Sequence, residues 1–455
     1  MIDISTKNKT AFSVPLISLV GLLLYLNFAP QRIELYLTEK LGQFPFPFLW
    51  LSVSLGLLLL DRLAAKKGHL FDSRMKKFVG MVCLLLAVQV SLSWVNAYFF
   101  ASGEKGSWFQ FLSMAYIYIP MFCAVYAYLI IDTMDRFYFL LKVFLFIIGG
   151  QMLVGCLMML VPSHLADLMC WQYAEYATEA IRNSSSVIGG TGPIAFLFLL
   201  SLPLFVAYYV KKGALYLIPL IALLISLLLT YSRAPLLLAT LYIIGVSGYC
   251  FTTSPGKRVA KRLIALFGVV IAVIFVAVIG IVQLDLDYLF RRDLAFTDTA
   301  RIESARTALT LAVDEPLLGY GTGELYIRDY ELSLDRHMIL YGQYSLKTPH
   351  NLFLLIAAEN GFILLILWII FLLVLLRLVS HKGSTPISDK ILSMSFICSI
   401  VLIYAYSTVS DQLVTKYRVT PTFWFLAGLA MAYAKVSNQS SMTQATANYL
   451  DAKKI

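Results

Sequence analysis

Long apolar runs separated by short polar breaks organise this chain. They lie near residues 11–29, 44–60, 78–100, 108–131, 138–161, 189–210, 214–230, 234–251, 263–284, 350–378, 391–409 and 419–435. Runs of about 20 residues match the length of a bilayer-crossing helix. The pattern therefore predicts an all-α fold: a polytopic integral membrane protein with about twelve transmembrane helices. One break is unlike the others, the polar stretch from Asp285 to Lys347 that ends at Pro349-His350-Asn351. A segment of that size cannot lie in hydrocarbon with its backbone unsatisfied, so it is expected to build a small structure with short helices on one membrane face. The chain then divides into helices over 1–284, a loop domain over 285–349, helices over 350–435 and a tail over 436–455. That tail is polar from Ser437 and expected to lack structure.

Composition agrees. Of the 455 residues 60% are hydrophobic and 14% charged, whereas soluble domains carry about a quarter charged residues. A net charge of +10 would suit a nucleic-acid partner, but the placement of the cations fits membrane orientation better. With a cytoplasmic amino terminus and twelve crossings, 22 of the 36 lysines and arginines fall inside, including the Arg62–Lys77 cluster, Lys211, Lys212 and Lys257–Arg262. Seven of the 14 outside belong to the long loop, so the short loops are biased about threefold inward. Both termini are then cytoplasmic, and the first run is a retained span with no cleavage site near residue 29. Cys83, Cys123, Cys156, Cys250 and Cys398 sit in apolar runs and Cys170 stands alone outside, so neither a disulfide nor a zinc site is implied.

Residues 214–251 are apolar except at Thr230-Tyr231-Ser232-Arg233-Ala234-Pro235. Cations at both ends require an even number of crossings, so a tight hairpin is expected, with Arg233 at its outer turn. A cation at the hydrocarbon edge usually has an anionic partner, or else snorkels to water or lipid phosphate.

The long loop holds seven Lys or Arg against eleven Asp or Glu, so it is no polyanion-binding patch. Within it Asp298–Val313 reads as a helix capped by Asp298, with Ile302, Ala305, Leu309, Ala312 and Val313 as its apolar stripe. Pro316 and the glycines of Gly319-Tyr320-Gly321-Thr322-Gly323 end it in a turn, since no strand or lysine accompanies them as a phosphate loop would need. Arg301 falls in the first turn of this helix, against the macrodipole. First-turn amides and a guanidinium together suit a phosphate or diphosphate, and a surface pair with Asp298 is the plainer alternative. Arg306 has a structural partner in Glu303. His350 opens the next helix, whose positive end favours the neutral imidazole that can accept a proton, although a hydrogen-bonded interfacial histidine is the commoner case. Glu359 lies about 13 Å further along that helix, as a relay or a packing carboxylate. Asp285-Leu286-Asp287 has metal-nucleotide spacing, but no α/β domain is present to use it, so these are two solvated aspartates.

Taken together these residues resemble the O-antigen ligase/polymerase superfamily of bacterial inner-membrane glycosyltransferases. The resemblance rests on Thr230-Tyr231-Ser232-Arg233, on Ala300-Arg301 through Glu315-Pro316-Leu317-Leu318-Gly319-Tyr320-Gly321, and on His350-Asn351 with Glu359 and Gly361 beyond. It implies about twelve spans, a large periplasmic loop and transfer of a glycan from undecaprenyl diphosphate to a sugar acceptor without metal or other cofactor. It also implies Arg233 and Arg301 as the diphosphate site, His350 as general base, and Asn351 as an orienter of His350 or of the acceptor. The implied partners are the lipid-linked donor, a second glycan or a lipid A core acceptor, membrane lipids and, for a polymerase, a chain-length regulator, with no nucleic acid. Leu364, where ligases carry a small residue or tyrosine, favours a polymerase over a ligase. A transporter or flippase is the rival from another class, and the absence of an internal repeat and the scarcity of mid-span charges weigh against it. A cell-wall glycosyltransferase of the shape-and-division type would be expected to rely on a loop aspartate instead.

Overall fold

The computed structural model describes residues 13–29, 45–64, 71–100, 114–160, 191–230, 232–252, 261, 263–265, 268, 294–322, 349–380, 387–410, 413 and 419–452. Among them all regular structure is helical: α1 (Val14–Phe28), α2 (Phe46–Ala64), α3 (Ser73–Phe100), α4 (Phe122–Ile130), α5 (Met134–Leu160), α6 (Thr191–Lys212), α7 (Leu217–Leu229), α8 (Arg233–Thr252), α9 (Leu294–Asp314), α10 (Leu352–Val379), α11 (Ile387–Tyr406) and α12 (Thr420–Ala452). A short 3₁₀ turn at Ile119–Met121, built around Pro120, leads into α4. Eleven of the twelve expected apolar runs coincide with helices, and the run 263–284 lies largely outside the described residues. Among the described residues five helices are long and apolar enough to cross a membrane, Phe46–Ala64, Ser73–Val95, Met134–Val154, Gly192–Lys212 and Leu352–Val379, and five more apolar helices are shorter.

Burial separates central from peripheral helices. α12 is buried all round from Phe423 to Ala434, as expected of a helix that is apolar on every face. Phe423 and Trp424 pack edge to face at 5.0 Å, and Trp424 meets Phe371 of α10 and Phe78 of α3. Small residues let α12 approach α4 closely, to the point that a side chain at Gly428 would lie 2.4 Å from the Ala124 carbonyl oxygen. α2 and the far half of α10 instead expose Leu57, Leu60, Ile366 and Leu373, the surface a lipid-facing helix presents.

Specific contacts fix which helix ends lie together. Tyr406 at the end of α11 packs on Phe196 near the start of α6, with centroids 6.5 Å apart. The Leu352 amide that opens α10 donates to the Ser407 carbonyl at 2.9 Å. α6 then turns at Gly213, φ 85°, and α7 returns toward the end where α6 began. The expected hairpin is therefore present: α7 ends at Leu229 and α8 begins at Arg233, at the same end of the bundle as His350.

Three expectations need correction. The loop helix α9 begins at Leu294, not Asp298, because Leu294-Ala295-Phe296 can propagate a helix and Asp298 is taken into its interior. Its buried face is Ser304, Ala308, Leu311 and Ala312, while Ile302 (52%), Leu309 (51%) and Val313 (62%) are exposed. Of the expected stripe Ala312 alone is buried, and apart from Leu311 the residues that face inward are small, because α9 lies close against α10. The tail expected to lack structure from Ser437 continues α12 to Ala452, in a stretch without glycine or proline to stop it.

Candidate functional site

The site is organised by a break in α10. Gly361 has φ 72° and ψ 175°, outside the helical region, in the middle of what would be one continuous helix. The turn that follows α9 docks into this break. The Tyr320 amide donates to the Ala358 carbonyl at 2.9 Å, the Gly321 amide to the Glu359 carbonyl at 2.7 Å, and the Phe362 amide to the Pro316 carbonyl at 2.8 Å. Backbone groups that α10 gives up at the break are thus paired across the junction, as buried peptide groups require. Only glycine permits the approach. A Cβ on Gly361 would lie 2.3 Å from the Leu317 carbonyl oxygen, and one on Gly319, φ 64°, would lie 2.4 Å from the Asn360 amide nitrogen. The glycine run read as a turn is therefore a docking turn.

Beside the junction lies a buried polar hub that the sequence reading did not single out. Thr322 Oγ1 donates to Asn360 Oδ1 at 2.7 Å and accepts from Gln89 Nε2 at 2.9 Å, with Ser93 Oγ 3.1 Å away. Tyr118 donates its hydroxyl hydrogen to Gln89 Oε1 at 2.6 Å. Turn, α10, α3 and the segment before α4 are tied together by side chains that are all but inaccessible to solvent. A signal was present in the sequence, since Gln89 and Ser93 stand four residues apart inside an apolar run, where polar groups call for partners.

His350 precedes α10 and is half-buried. Its φ of 47° makes it the one non-glycine residue in the left-handed region among the described residues, a conformation that costs about 1–3 kcal/mol and gathers at functional sites. Asn351 has a local structural task. Its Oδ1 accepts from the Phe353 and Leu354 amides at 2.9 and 3.1 Å, so it is the N-cap of α10. With Leu352 bonded to Ser407 and Leu355 to Asn351, the first-turn amides of α10 are occupied. Glu359 is buried two residues before the break, and Arg306 is exposed on α9.

For the arginines the backbone gives the register. Arg301 lies seven residues into α9 and not in its first turn, so first-turn amides cannot join it in an anion pocket. Its position falls on the helical face that Ser304, Ala308 and Ala312 bury, three, seven and eleven residues on. Arg233, by contrast, occupies the first turn of α8, where amides are unspent by helix geometry. His350, Arg233 and the α9 junction share one end of the bundle. The remaining loop residues, 285–293 and 323–348, lie outside the described ones, and with them Asp285-Leu286-Asp287.

Such an end offers an imidazole at the rim, a cation position at a helix start, a second cation position on a helix held against the one that follows the histidine, and beneath them the polar hub and apolar helix surfaces. These are the elements for binding an anionic headgroup whose tail stays in lipid, and for moving a proton beside it. Compared with known protein families, residues 218–369, about a third of the chain, match the family described as O-Antigen ligase. The matched segment runs from α7 into α10 and contains Arg233, Arg301, Arg306, His350, Asn351, Glu359 and Gly361. No curated protein matches the chain.

Proposed function

We propose, from the premise that residues 218–369 place this integral membrane protein in the O-antigen ligase/polymerase superfamily, that it is an inverting glycosyltransferase acting on a lipid-linked glycan. The donor is undecaprenyl diphosphate glycan and the acceptor another glycan, which makes the protein a polymerase of O-antigen or exopolysaccharide at the periplasmic face of the inner membrane. Twelve spans and cytoplasmic termini complete the reading.

The observation that supports it most is the junction of α9 with the break in α10. It ties the turn after α9, the helix that carries Arg301, to α10, the helix that follows His350, which supports a site shared by these residues and Arg233 at the start of α8. In the proposed reaction His350 takes the proton of the acceptor hydroxyl as that oxygen attacks the anomeric carbon of the donor. The bond from that carbon to the diphosphate breaks on the opposite face, and the leaving group departs as a diphosphate anion. It needs charge rather than a proton, and Arg233 and Arg301 supply it. A single displacement inverts the anomeric centre. Asn351 acts by capping α10, which fixes the backbone beside His350, and Glu359 sits in the supporting layer.

The preference for a polymerase rested on Leu364, which is fully buried; its identity is set by packing, so transfer to lipid A core remains the second outcome to be distinguished. A strain lacking the protein, complemented with wild type or His350→Ala, tests both readings by its surface, carrier-bound and secreted glycans. Single repeats left on the carrier identify a polymerase, and long chains stranded there identify a ligase. Full rescue by His350→Ala removes the proposed base, and repeat units trapped on the cytoplasmic leaflet point to transport instead.

A further inference from the structure

The end of the bundle away from His350 gathers cations. Some have structural work at the carboxyl end of α4, whose last carbonyls lack helical partners. Arg62 donates to the Leu129 carbonyl, Arg136 Nη1 to that of Ile130 at 3.3 Å, and Lys435 Nζ to that of Ile131 at 2.6 Å. Lys142, Lys211 and Lys212 belong to a different feature. They line a cavity of ≈ 650 Å³ between α5, α6 and the turn into α7, together with Tyr138, Tyr208 and Tyr216. The Tyr208 and Tyr216 rings stack at 5.3 Å, and Lys211 Nζ stands 5.9 Å from the Tyr138 ring centroid. One carboxylate, Asp135, shares the wall with the three lysines, so the lining carries a net positive charge of about two. Apolar surface continues from the cavity along both flanking helices: Phe146, one turn past Lys142, is 71% exposed, and Ile218, beside Tyr216, is 69% exposed.

Lysine and tyrosine at the ends of membrane-spanning helices, over exposed apolar side chains, match a ligand that is anionic at its head and hydrocarbon below. We propose that this cavity binds the phosphate headgroup of an anionic glycerophospholipid, with the lysines around the phosphate, the tyrosines at the level of the glycerol and the acyl chains along Phe146 and Ile218. The site is independent of the glycosyl-transfer reading, since none of its residues lies near His350, and it holds even if that reading fails.

The test uses the full-length protein in mild detergent, offered phosphatidylglycerol, cardiolipin and phosphatidylcholine in equal amounts, with native mass spectrometry to read what is retained. Wild type retains the two anionic lipids over phosphatidylcholine. Retention falls roughly a hundredfold in Lys142→Gln/Lys211→Gln/Lys212→Gln, at about fivefold per lysine, and is unchanged in the control Lys76→Gln/Lys77→Gln on α3. Asp135→Asn, which removes a repulsive charge without deleting a contact to lipid, raises retention several-fold. Equal loss in the triple variant and the control, equal retention of phosphatidylcholine, or no gain in Asp135→Asn overturns the proposal. Millimolar inorganic phosphate added alone separates the two sources of the anion: saturable phosphate binding without lipid preference assigns the cavity to a soluble phosphate and refutes the lipid site.

Discussion

Replacing Gly361 by alanine should undock the loop helix while leaving the bundle folded. The added Cβ meets backbone atoms, Leu317 O at 2.3 Å, Leu317 C at 2.5 Å and Leu318 N at 2.9 Å, so no side chain can swing aside to admit it. Backbone at φ 72° and ψ 175° is almost confined to glycine, and an alanine held there costs about 1–3 kcal/mol. If the turn moves away instead, three backbone hydrogen bonds are lost, at roughly 1 kcal/mol each. Either route disfavours the docked state by about 3 kcal/mol, a drop of roughly two orders of magnitude in its population relative to the undocked one. Alanine also allows α10 to run straight, with Phe362 returning to the Ala358 carbonyl as in an ordinary helix, which softens the effect on global stability. Hydrogen exchange followed by mass spectrometry reads the difference directly. Protection of the Tyr320 and Gly321 amides should fall about a hundredfold, while peptides from α12 and α6 keep theirs and glycan transfer is lost. Protection within a factor of about three of wild type would mean that the junction does not depend on glycine at this position, and the argument for the site's rigidity would fail with it.

Other substitutions probe separate parts of the same scheme. Thr322→Val removes the centre of the polar hub and leaves Asn360 and Gln89 buried with unmet groups, so the melting temperature in detergent should drop by the equivalent of about 2–3 kcal/mol, and an unchanged melting temperature would show that the hub contributes nothing. Asn351→Ala deletes the cap of α10 and should cost about 1 kcal/mol, with Asn351→Asp retaining most of it; a loss of transfer far beyond that stability change would return Asn351 to the substrate. Gly428→Ala forces α12 away from the Ala124 backbone and should destabilise by about 1–3 kcal/mol despite the better helix propensity of alanine, a sign that unfolding of the purified protein would check.

Local sequence was enough to place most helices. Apolar run length sets where α1 to α8 and α10 to α12 lie, because a helix in lipid satisfies its own backbone and needs nothing distant to do so. The polar interruption at Thr230–Pro235 located the α7–α8 hairpin and put Arg233 at its turn for the same reason. Failures began where the answer depended on a partner. Of the apolar stripe Ile302, Ala305, Leu309, Ala312 and Val313 only Ala312 is buried, and the face that packs is Ser304, Ala308, Leu311 and Ala312, because the closeness of α10 rewards mostly small side chains and periodicity cannot sense closeness. Gly361 enters from the sequence only as one residue of the family resemblance; its positive φ arises because a turn some forty residues earlier in the chain docks there and takes over the hydrogen bonds of Ala358, Glu359 and Phe362. In the same way, Gln89 and Ser93 are two polar residues in an apolar run, and only the docking of the α9–α10 turn against α3 gave both of them Thr322 as a partner, which in turn bonds Asn360. Sequence therefore determined the elements, whose hydrogen bonds are internal, and tertiary structure decided the site, whose hydrogen bonds join segments that composition and spacing leave unrelated.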